Sequence, residues 1–317
     1  MVSRGKTDFV TPLPLAHALP PSAKGSVAAT RRVCKPMPVI LIAMALVMIG
    51  GSAANAENPE ISHRRASERT DFTNDEIKDG FFKIALKAEL QIGAPVERVR
   101  KFDAPVRIFV DSKALPDRRS DLASIVADIR SRVNHLDVAV TDDRQTANFV
   151  VRLVAERDLG RTIRSLYGSD RAKQIQRSLH PQCLSGIGKD KLYRIRRAEA
   201  ILPVDAGEFT FHDCAYEELL QGLGVINDDP SIPWTMFNDD VQMGFFDVYD
   251  QYLLNILYDP RICAGMKKED VDRVLPDVLA TTRAWVTSKN PRRANVGGSR
   301  TTPPEDRAQP GLGARTD

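Results

Sequence analysis

Hydrophobic periodicity divides the middle of the chain into alternating helices and strands. Apolar residues that recur every three or four positions predict helices, and alternating apolar and polar residues predict strands. The predicted helices cover residues 73–90, 120–135, 157–179 with a break near Gly168, 210–223, 246–257 and 268–285. The predicted strands cover residues 106–110, 148–154 and 193–204, and residues 181–190 are expected to form a loop. This order predicts a single α+β domain, in which a twisted mixed sheet packs on the helix that carries Glu218 and C-terminal helices follow.

Two segments match the capping-box pattern that opens a helix. Thr73-Asn74-Asp75-Glu76 and Thr210-Phe211-His212-Asp213 both place an acidic residue three positions after a threonine. The threonine hydroxyl accepts a hydrogen bond from a backbone N–H group in the first turn, and the acidic side chain bonds back. We therefore expect helices to begin at Thr73 and at Thr210.

An apolar run at residues 38–50 has the length of a signal-peptide core and is shorter than the roughly 20 residues of a membrane span. The basic residues before it are Arg31, Arg32 and Lys35, and Ala54-Asn55-Ala56 after it fits the small-x-small cleavage rule. Residues 1–56 therefore predict a secretory signal with a long basic start, cleaved near Ala56, and a periplasmic or secreted protein. An uncleaved inner-membrane anchor facing the periplasm is the alternative, and membrane contact through this segment is expected only in that case.

Composition sets the remaining boundaries. Residues 57–71 are polar and charged and predict a flexible leader, residues 72–286 form the domain, and residues 287–317 are rich in Pro, Gly, Arg and Thr and predict a disordered tail. The chain has 45 Lys and Arg against 42 Asp and Glu, with the basic excess near its two ends. The middle shows no concentrated basic patch, so no nucleic-acid partner is expected.

Three cysteines follow the apolar run: Cys183, Cys214 and Cys263. Export would permit a disulfide bond. The preferred pair is Cys183–Cys214, which would tie the loop before a predicted strand to the start of the Glu218 helix. Three buried thiols are the alternative.

The segment from Glu217 to Asn227 has the spacing of the extended zinc-peptidase motif H-E-x-x-H-x-x-G-x-x-H. Glu218 and Gly224 fall on the catalytic glutamate and the helix-ending glycine, and the three histidine positions hold Glu217, Gln221 and Asn227. Residues four apart share one helical face, and a glycine in a left-handed conformation would turn the chain back toward it. An ordinary amphipathic helix with a glycine cap is the alternative.

The residue types at the histidine positions argue against zinc. Imidazole suits zinc, whereas carboxylate and amide oxygens are harder donors. We expect no cofactor, with a non-zinc divalent cation as the alternative, in which Asp228 or His212 would add a ligand to Glu217, Gln221 and Asn227.

Several segments resemble the catalytic half of matrixin-type metzincins. The run Thr146-Ala147-Asn148-Phe149-Val150-Val151-Arg152 is similar to their Ala-Asp-Ile strand, and residues 198–202 correspond to the edge strand before the active helix. Met236 lies near the position of their Met-turn methionine. Tyr249-Asp250 and Leu257-Tyr258 are similar to their closing helix. The resemblance implies a zincin-like fold.

A second resemblance, to the DUF2927 family of exported proteobacterial proteins of unknown function, covers residues 70–285. It rests on Cys214, on the run from Glu217 to Gly224, and on Asn227-Asp228. It also rests on Phe237-Asn238-Asp239, Leu257-Tyr258-Asp259-Pro260-Arg261 and Gly265-Met266. This resemblance implies no reaction.

These observations favour a noncatalytic, zincin-like envelope protein that binds an extended peptide or protein in a degenerate peptidase cleft. Residues 196–202 would dock the partner by strand addition, unless their charges only protect an edge. The alternative is a metal-dependent hydrolase in which Glu218 acts as general base. A structural envelope factor without a cleft ligand is the third possibility.

Overall fold

The structure is a computed structural model that describes residues 57–88, 96–179 and 181–291. The helices are α1 (Pro59–Ser67), α2 (Asn74–Ala85), α3 (Arg119–Arg132), α4 (Leu159–Tyr167), α5 (Ser169–Ser178), α6 (Glu208–Gly222), α7 (Val248–Tyr258) and α8 (Lys268–Lys289). The strands are β1 (Val106–Ser112), β2 (Val138–Val140), β3 (Phe149–Val154), β4 (Leu184–Lys189) and β5 (Ile195–Pro203). The predicted signal at residues 1–56 and all but the first residues of the predicted tail lie outside the described residues.

The five strands form one mixed sheet in the order β2-β1-β3-β5-β4. Strands β2, β1, β3 and β5 are parallel, and β4 pairs antiparallel with β5. The expected α+β architecture, with a mixed sheet on the Glu218 helix and C-terminal helices, is confirmed.

Helices cover both faces of the sheet around β5. On one face, Ala198, Ala200 and Leu202 join the large core that also contains residues of α2, α3, α6, α7 and α8. On the other face, Ile201 and Leu184 pack with Leu159, Ile163 and Ile175 of α4 and α5. A strand covered on both faces is apolar at nearly every position, which explains the run Ala198-Glu199-Ala200-Ile201-Leu202.

Strand β4 corrects the expectation of a loop at residues 181–190. Its sequence, Leu184-Ser185-Gly186-Ile187-Gly188-Lys189, contains two glycines and has weak strand propensity. Pairing with β5 makes it a strand. The expectation that residues 196–202 form an edge is also wrong, because β5 lies between β3 and β4.

The two predicted capping boxes have different outcomes. Thr73 caps α2 and exchanges hydrogen bonds with Glu76, as expected. Helix α6, however, begins at Glu208, so Thr210 lies inside it. Asp213 does not cap this helix, because its Oδ1 accepts hydrogen bonds from the backbone N–H groups of Met243 and Gly244.

The segment predicted as a flexible leader contains helix α1. Asn58 caps this helix, and Ile61 is buried in the core. The Arg64 guanidinium donates a hydrogen bond to the Gln242 carbonyl and lies 4.8 Å from the ring centroid of Phe209. The leader prediction is therefore wrong for residues 59–67, because a short apolar and cationic face docks this segment on the domain.

Membrane-spanning helices were sought across the residues described. None of these helices combines the length and the apolar character that crossing a bilayer requires.

The predicted disulfide bond joins Cys183 to Cys214, with their Cα atoms 5.9 Å apart. Cys263 is a free, exposed thiol, as expected. The bond attaches the residue before β4 to the middle of α6. The edge of the sheet and the helix beneath it are therefore covalently linked.

Replacing both bridged cysteines, Cys183→Ala with Cys214→Ala, should lower the free energy of unfolding by about 3–4 kcal/mol, because the bond closes a long loop in the unfolded chain. The loop spans a sequence separation of 31 residues. Guanidinium denaturation of the oxidised protein measures the loss. The control is Cys263→Ala, which should unfold like the wild type. Equal midpoints for the double variant and the wild type would contradict the prediction.

Candidate functional site: a carboxylate cluster on helix α6

Helix α6 approaches the sheet at a position where only glycine fits. A Cβ atom on Gly222 would lie 2.4 Å from Cζ of Phe149, a buried residue of β3. This distance is shorter than real Cβ contacts, so a larger residue would push the helix away from the sheet. The ring of Phe149 thus sets the distance between α6 and β3.

The chain turns sharply after α6, as the zinc-peptidase spacing predicted. Gly224 has φ of +128°, and a Cβ atom there would lie 2.2 Å from the Arg100 carbonyl oxygen. The hydroxyl of Tyr258 donates a hydrogen bond of 2.9 Å to the Leu223 carbonyl, which satisfies one acceptor at the helix end. The expected helix end near Leu223 and the positive φ at Gly224 are both confirmed.

Three carboxylates meet beside this turn. Oxygen atoms of Glu217, Asp228 and Asp239 all lie within 4.8 Å of one another. Glu217 comes from α6, Asp228 from the segment after Gly224, and Asp239 from the loop before α7. Glu217 and Asp228 are half-buried and Asp239 is exposed, so the carboxylate cluster opens to solvent on one side.

A hydrogen bond within the following loop holds two of these residues together. The Asp229 N–H group donates to the Phe237 carbonyl over 2.8 Å, which brings the chain at residue 239 back to residue 228. Met236 in this loop is buried, and its N–H group donates to Oδ2 of Asp250 over 2.9 Å. The methionine singled out in the sequence therefore belongs to the core beneath the loop.

Gln221 connects the carboxylate cluster to the edge of the sheet. Its Nε2 donates to Oδ1 of Asp228 over 3.1 Å. Its Oε1 accepts a hydrogen bond of 3.0 Å from the hydroxyl of Ser185 in β4. Glu217 and Gln221 therefore share one side of α6, as predicted from their four-residue spacing.

Asn227 does not turn toward Gln221, so this part of the site prediction is wrong. Its Nδ2 donates to the carbonyls of Lys83 and Asp228 over 3.0 and 2.9 Å. The Lys83 carbonyl near the end of α2 accepts a hydrogen bond from the Asn227 amide. The next residue, Asp228, faces α6 instead. Asp239 was missed as a site residue, although it stood in the motif Phe237-Asn238-Asp239 that carries the family resemblance.

Glu218 is buried on α6 and is not one of the three clustered carboxylates. Its charge acts on Tyr167 at the end of α4, because burial first, and then the carboxylates of Glu199 and Glu218, raise the pKa of that phenol. The residue in the position of a catalytic glutamate thus lies in the protein interior, away from the solvent-facing side of the carboxylate cluster.

The carboxylate cluster holds excess negative charge. Burial first, and then the neighbouring carboxylates of Glu218 and Asp228, raise the pKa of Glu217 well above its usual range. Burial likewise raises the pKa of Asp213, against the opposing hydrogen bonds from Gly244 and Met243. A cation among these groups would relieve their repulsion.

The arrangement offers carboxylate oxygens from three residues. Such donors suit Ca²⁺ or Mg²⁺, which prefer oxygen ligands, better than they suit zinc. They equally suit the ammonium or guanidinium group of a partner, which would donate hydrogen bonds to several carboxylates and neutralise their charge.

Comparison with known proteins places this site in a family. Residues 74–277 match the family model described as protein of unknown function (DUF2927). This stretch runs from the start of α2 into α8 and includes the whole carboxylate cluster, and the chain belongs to this family. Neither the curated proteins nor the solved structures gave a significant match.

Glu217→Gln should remove a pH dependence from the stability of the protein. The pKa of Glu217 is raised in the folded protein. Its contribution to the free energy of unfolding is therefore fully present below its usual pKa of 4.5 and is lost as the pH rises through the folded-state pKa. Glutamine mimics the protonated carboxyl, and the variant should therefore become progressively more stable than the wild type above about pH 4.5. Thermal unfolding across pH in a chelating buffer measures this difference.

The matched control is Glu156→Gln, which changes an exposed glutamate outside the carboxylate cluster. The difference in melting temperature between this variant and the wild type should stay constant over the same pH range. A Glu217→Gln variant that tracks the wild type at every pH would show that Glu217 ionises as an ordinary surface group.

Proposed function

We propose that this DUF2927 protein is an exported, noncatalytic binding module that takes up an extended peptide segment along the outer edge of β4. The predicted signal at residues 1–56 supports export, and the closeness of the β4 edge to the carboxylate cluster, through Gln221, supports peptide binding. The observation that carries the proposal is the orientation of the β4 backbone.

The outward groups of β4 follow from the pairing of β5. The Ala198 N–H group donates to Asn148 beside β3, and the Val204 N–H group donates to Val154 of β3, so the backbone groups of alternate β5 residues point away from β4. Ile187 pairs with Ala198, and Ser185 pairs with Ala200. In an antiparallel ladder these are the non-hydrogen-bonded positions. The N–H and C=O groups of Ser185 and Ile187 therefore face outward from the sheet.

Most of this edge is free of the charges and prolines that commonly block strand pairing, and its register shifts only at its end, between Gly188 and Lys189. Natural edge strands carry charges, prolines or a cover, which block association with another chain. The six residues of β4 include a single charged residue, Lys189, at the end of the strand. An edge whose two outward-facing residues, Ser185 and Ile187, carry no charge is suited to strand addition, in which main-chain hydrogen bonds hold the incoming peptide.

The carboxylate cluster lies next to this edge and would select the peptide. Hydrogen bonds run from Ser185 to Gln221 and from Gln221 to Asp228, so a segment docked on β4 passes close to the carboxylates. A lysine or arginine side chain of the peptide would neutralise charge there. The proposed ligand is therefore an extended segment with a basic residue.

The likeness to matrixin-type zincins is part of this proposal. Its supports are the shared face of Glu217 and Gln221, the positive φ at Gly224, and the position of a sheet edge beside the helix. The docking strand is β4 rather than the segment 196–202 that the sequence indicated. The residues Glu217, Gln221 and Asn227, in place of histidines, favour binding without peptide hydrolysis.

Ile187→Pro should abolish docking while the fold persists. Proline removes the outward N–H group at this position, and its ring would obstruct the incoming strand, while the bonds between β4 and β5 use other residues. Binding of fluorescent octapeptides with a central lysine, measured by anisotropy, should weaken about tenfold or more. Ile187→Val is the matched control and should bind like the wild type. Equal binding by the proline variant, or tighter binding of glutamate-centred peptides, would refute the proposal.

A second candidate function is a metal-dependent hydrolase, and the clustering of three carboxylates favours its metal site. Glu217 and Asp228 would bind a divalent cation together with Asp239, which takes the place foreseen for Asn227. Glu218 would act as general base toward metal-bound water. The hydrolase needs a bound cation and Glu218 as general base, whereas the binding module needs neither.

Glu218→Gln separates the two candidates. For the binding module, we expect unchanged octapeptide affinity, no peptide turnover by either protein and no stoichiometric zinc, because no histidine ligand is present at positions 217, 221 and 227. For the hydrolase, removing the general base should lower turnover by about 100-fold or more. Metal content by mass spectrometry and hydrolysis of a peptide library are measured side by side.

Asp239→Asn is the companion variant. If the carboxylate cluster binds Ca²⁺, the wild type should melt at a higher temperature in millimolar Ca²⁺ and the variant should not, because a ligand that binds only the folded state stabilises it. If the protein holds tightly bound metal and Glu218→Gln abolishes peptide turnover, the binding-module proposal is refuted and the hydrolase is supported.

A further inference from the structure

A second concave site lies on the opposite face of the sheet from the carboxylate cluster. Helices α4 and α5 meet at Gly168, which has φ of +78°, and enclose a groove of about 500 Å³. Ile163, on the inner side of α4, is buried against the sheet and forms part of the groove wall. We call this cavity the α4–α5 groove.

Cationic side chains dominate the α4–α5 groove. Arg164 of α4 and Lys173 and Arg177 of α5 line it, and its lining contains no carboxylate. All three are exposed, and none forms a salt bridge with any residue that the structure describes. Elsewhere on the surface, arginines pair closely with carboxylates, as in Arg107–Asp137 at 2.9 Å and Arg119–Asp117 at 2.5 Å. The groove therefore holds positive charge without a carboxylate partner in the described chain.

The spacing of the groove-lining residues along α5 places their side chains on the same side of the helix. Ser169, Lys173 and Arg177 are four residues apart and form a stripe along one side of α5, and Arg164 faces them from α4. Ser169 is also the first residue of α5, where no side chain caps the helix. Backbone N–H groups at a helix start attract anions, and here they add to three side-chain charges.

The sequence did not reveal this patch. Glu156, Asp158 and Asp170 lie among the basic residues of the same stretch, so the local net charge is modest. Folding places Arg164 and Lys173 in the groove, whereas Asp158 pairs with Arg161 outside it. The expectation of no concentrated basic patch in the middle of the chain is therefore wrong for the folded surface.

We propose that the α4–α5 groove binds a small molecule that carries a phosphate or pyrophosphate group. Arginine forks bind phosphate oxygens in pairs, and lysine contributes a point charge. The two or three negative charges of a phosphate or pyrophosphate group match the charges of Arg164, Lys173 and Arg177. The volume of the α4–α5 groove is large enough for a compact ligand. Surface attachment to lipid is less well supported, because the exposed large apolar residues of the described chain, Leu115, Val140 and Leu192, lie outside α4 and α5.

The space beside Gly160 provides a test that leaves the fold intact. A Cβ atom on Gly160 would meet no heavy atom within 4 Å, and this glycine lines the groove inside α4. Gly160→Glu therefore introduces a carboxylate into the groove and improves helix propensity. We expect the variant to be at least as stable as the wild type and to lose anion binding.

Isothermal titration of the purified protein with inorganic phosphate and pyrophosphate at low salt measures binding. Pyrophosphate should bind more tightly than phosphate, and Arg164→Gln and Lys173→Gln should each weaken it about tenfold or more. The matched control is Arg161→Gln, which removes an exposed arginine of α4 that does not line the groove and should bind like the wild type.

Three outcomes would overturn the proposal. The first is no binding of pyrophosphate below about 10 mM. The second is equal loss in Arg161→Gln and Arg164→Gln, which would indicate nonspecific charge attraction. The third is sedimentation with phosphatidylglycerol vesicles, lost in Lys173→Gln, in the absence of pyrophosphate binding, which would assign the groove to a lipid surface.

Discussion

The close contact between Gly222 of α6 and the ring of Phe149 sets the distance between this helix and the sheet, and the candidate site depends on that distance. A Cβ atom at residue 222 would lie 2.4 Å from the ring. At this height Gln221 reaches Ser185 on β4 and Asp228 beyond the turn. A helix displaced by a larger side chain would separate the edge of the sheet from the carboxylate cluster, because both hydrogen bonds of Gln221 run between those two parts.

Two buried cations hold the chain around this helix. Arg100 donates hydrogen bonds to the carbonyls of Leu86, Lys87, Val96 and Arg98. The Lys101 ammonium donates to the carbonyls of Leu257, Asp259 and Ile262, and burial lowers its pKa to about 8. Through these three hydrogen bonds the ammonium joins the segment before β1 to the end of α7 and the residues after it. The motif Leu257-Tyr258-Asp259-Pro260-Arg261 therefore has a structural explanation, to which the ion pair of Asp259 and Arg261 at 2.6 Å adds.

The sheet separates two sites of opposite charge. The carboxylate cluster lies on the α6 side, and the α4–α5 groove lies on the other. Arg152 and Glu199 face the groove side of β3 and β5, where their 3.6 Å ion pair balances charge within the sheet. Because the sheet keeps the two charged regions apart, each can attract its own ligand without neutralising the other. The proposed basic peptide segment and the proposed phosphate-bearing molecule would therefore be compatible occupants of one domain.

The sequence by itself determined the features whose signals are local. Periodicity located α2, α3, α7 and α8 and the strands β1, β3 and β5, and the Thr73 capping box and the turn at Gly224 followed from residue type. The disulfide bond was predictable because three cysteines follow the apolar run at residues 38–50 and one of them lies on the Glu218 helix. Only the tertiary structure decided β4, whose two glycines give it weak strand propensity and whose pairing with β5 makes it a strand. It also decided that Asp228 and Asp239, rather than Asn227, join Glu217, because the Lys83 carbonyl captures the Asn227 amide and the Asp229–Phe237 hydrogen bond folds the loop. These partners lie far apart along the chain, and no periodicity or spacing encodes which of them will meet.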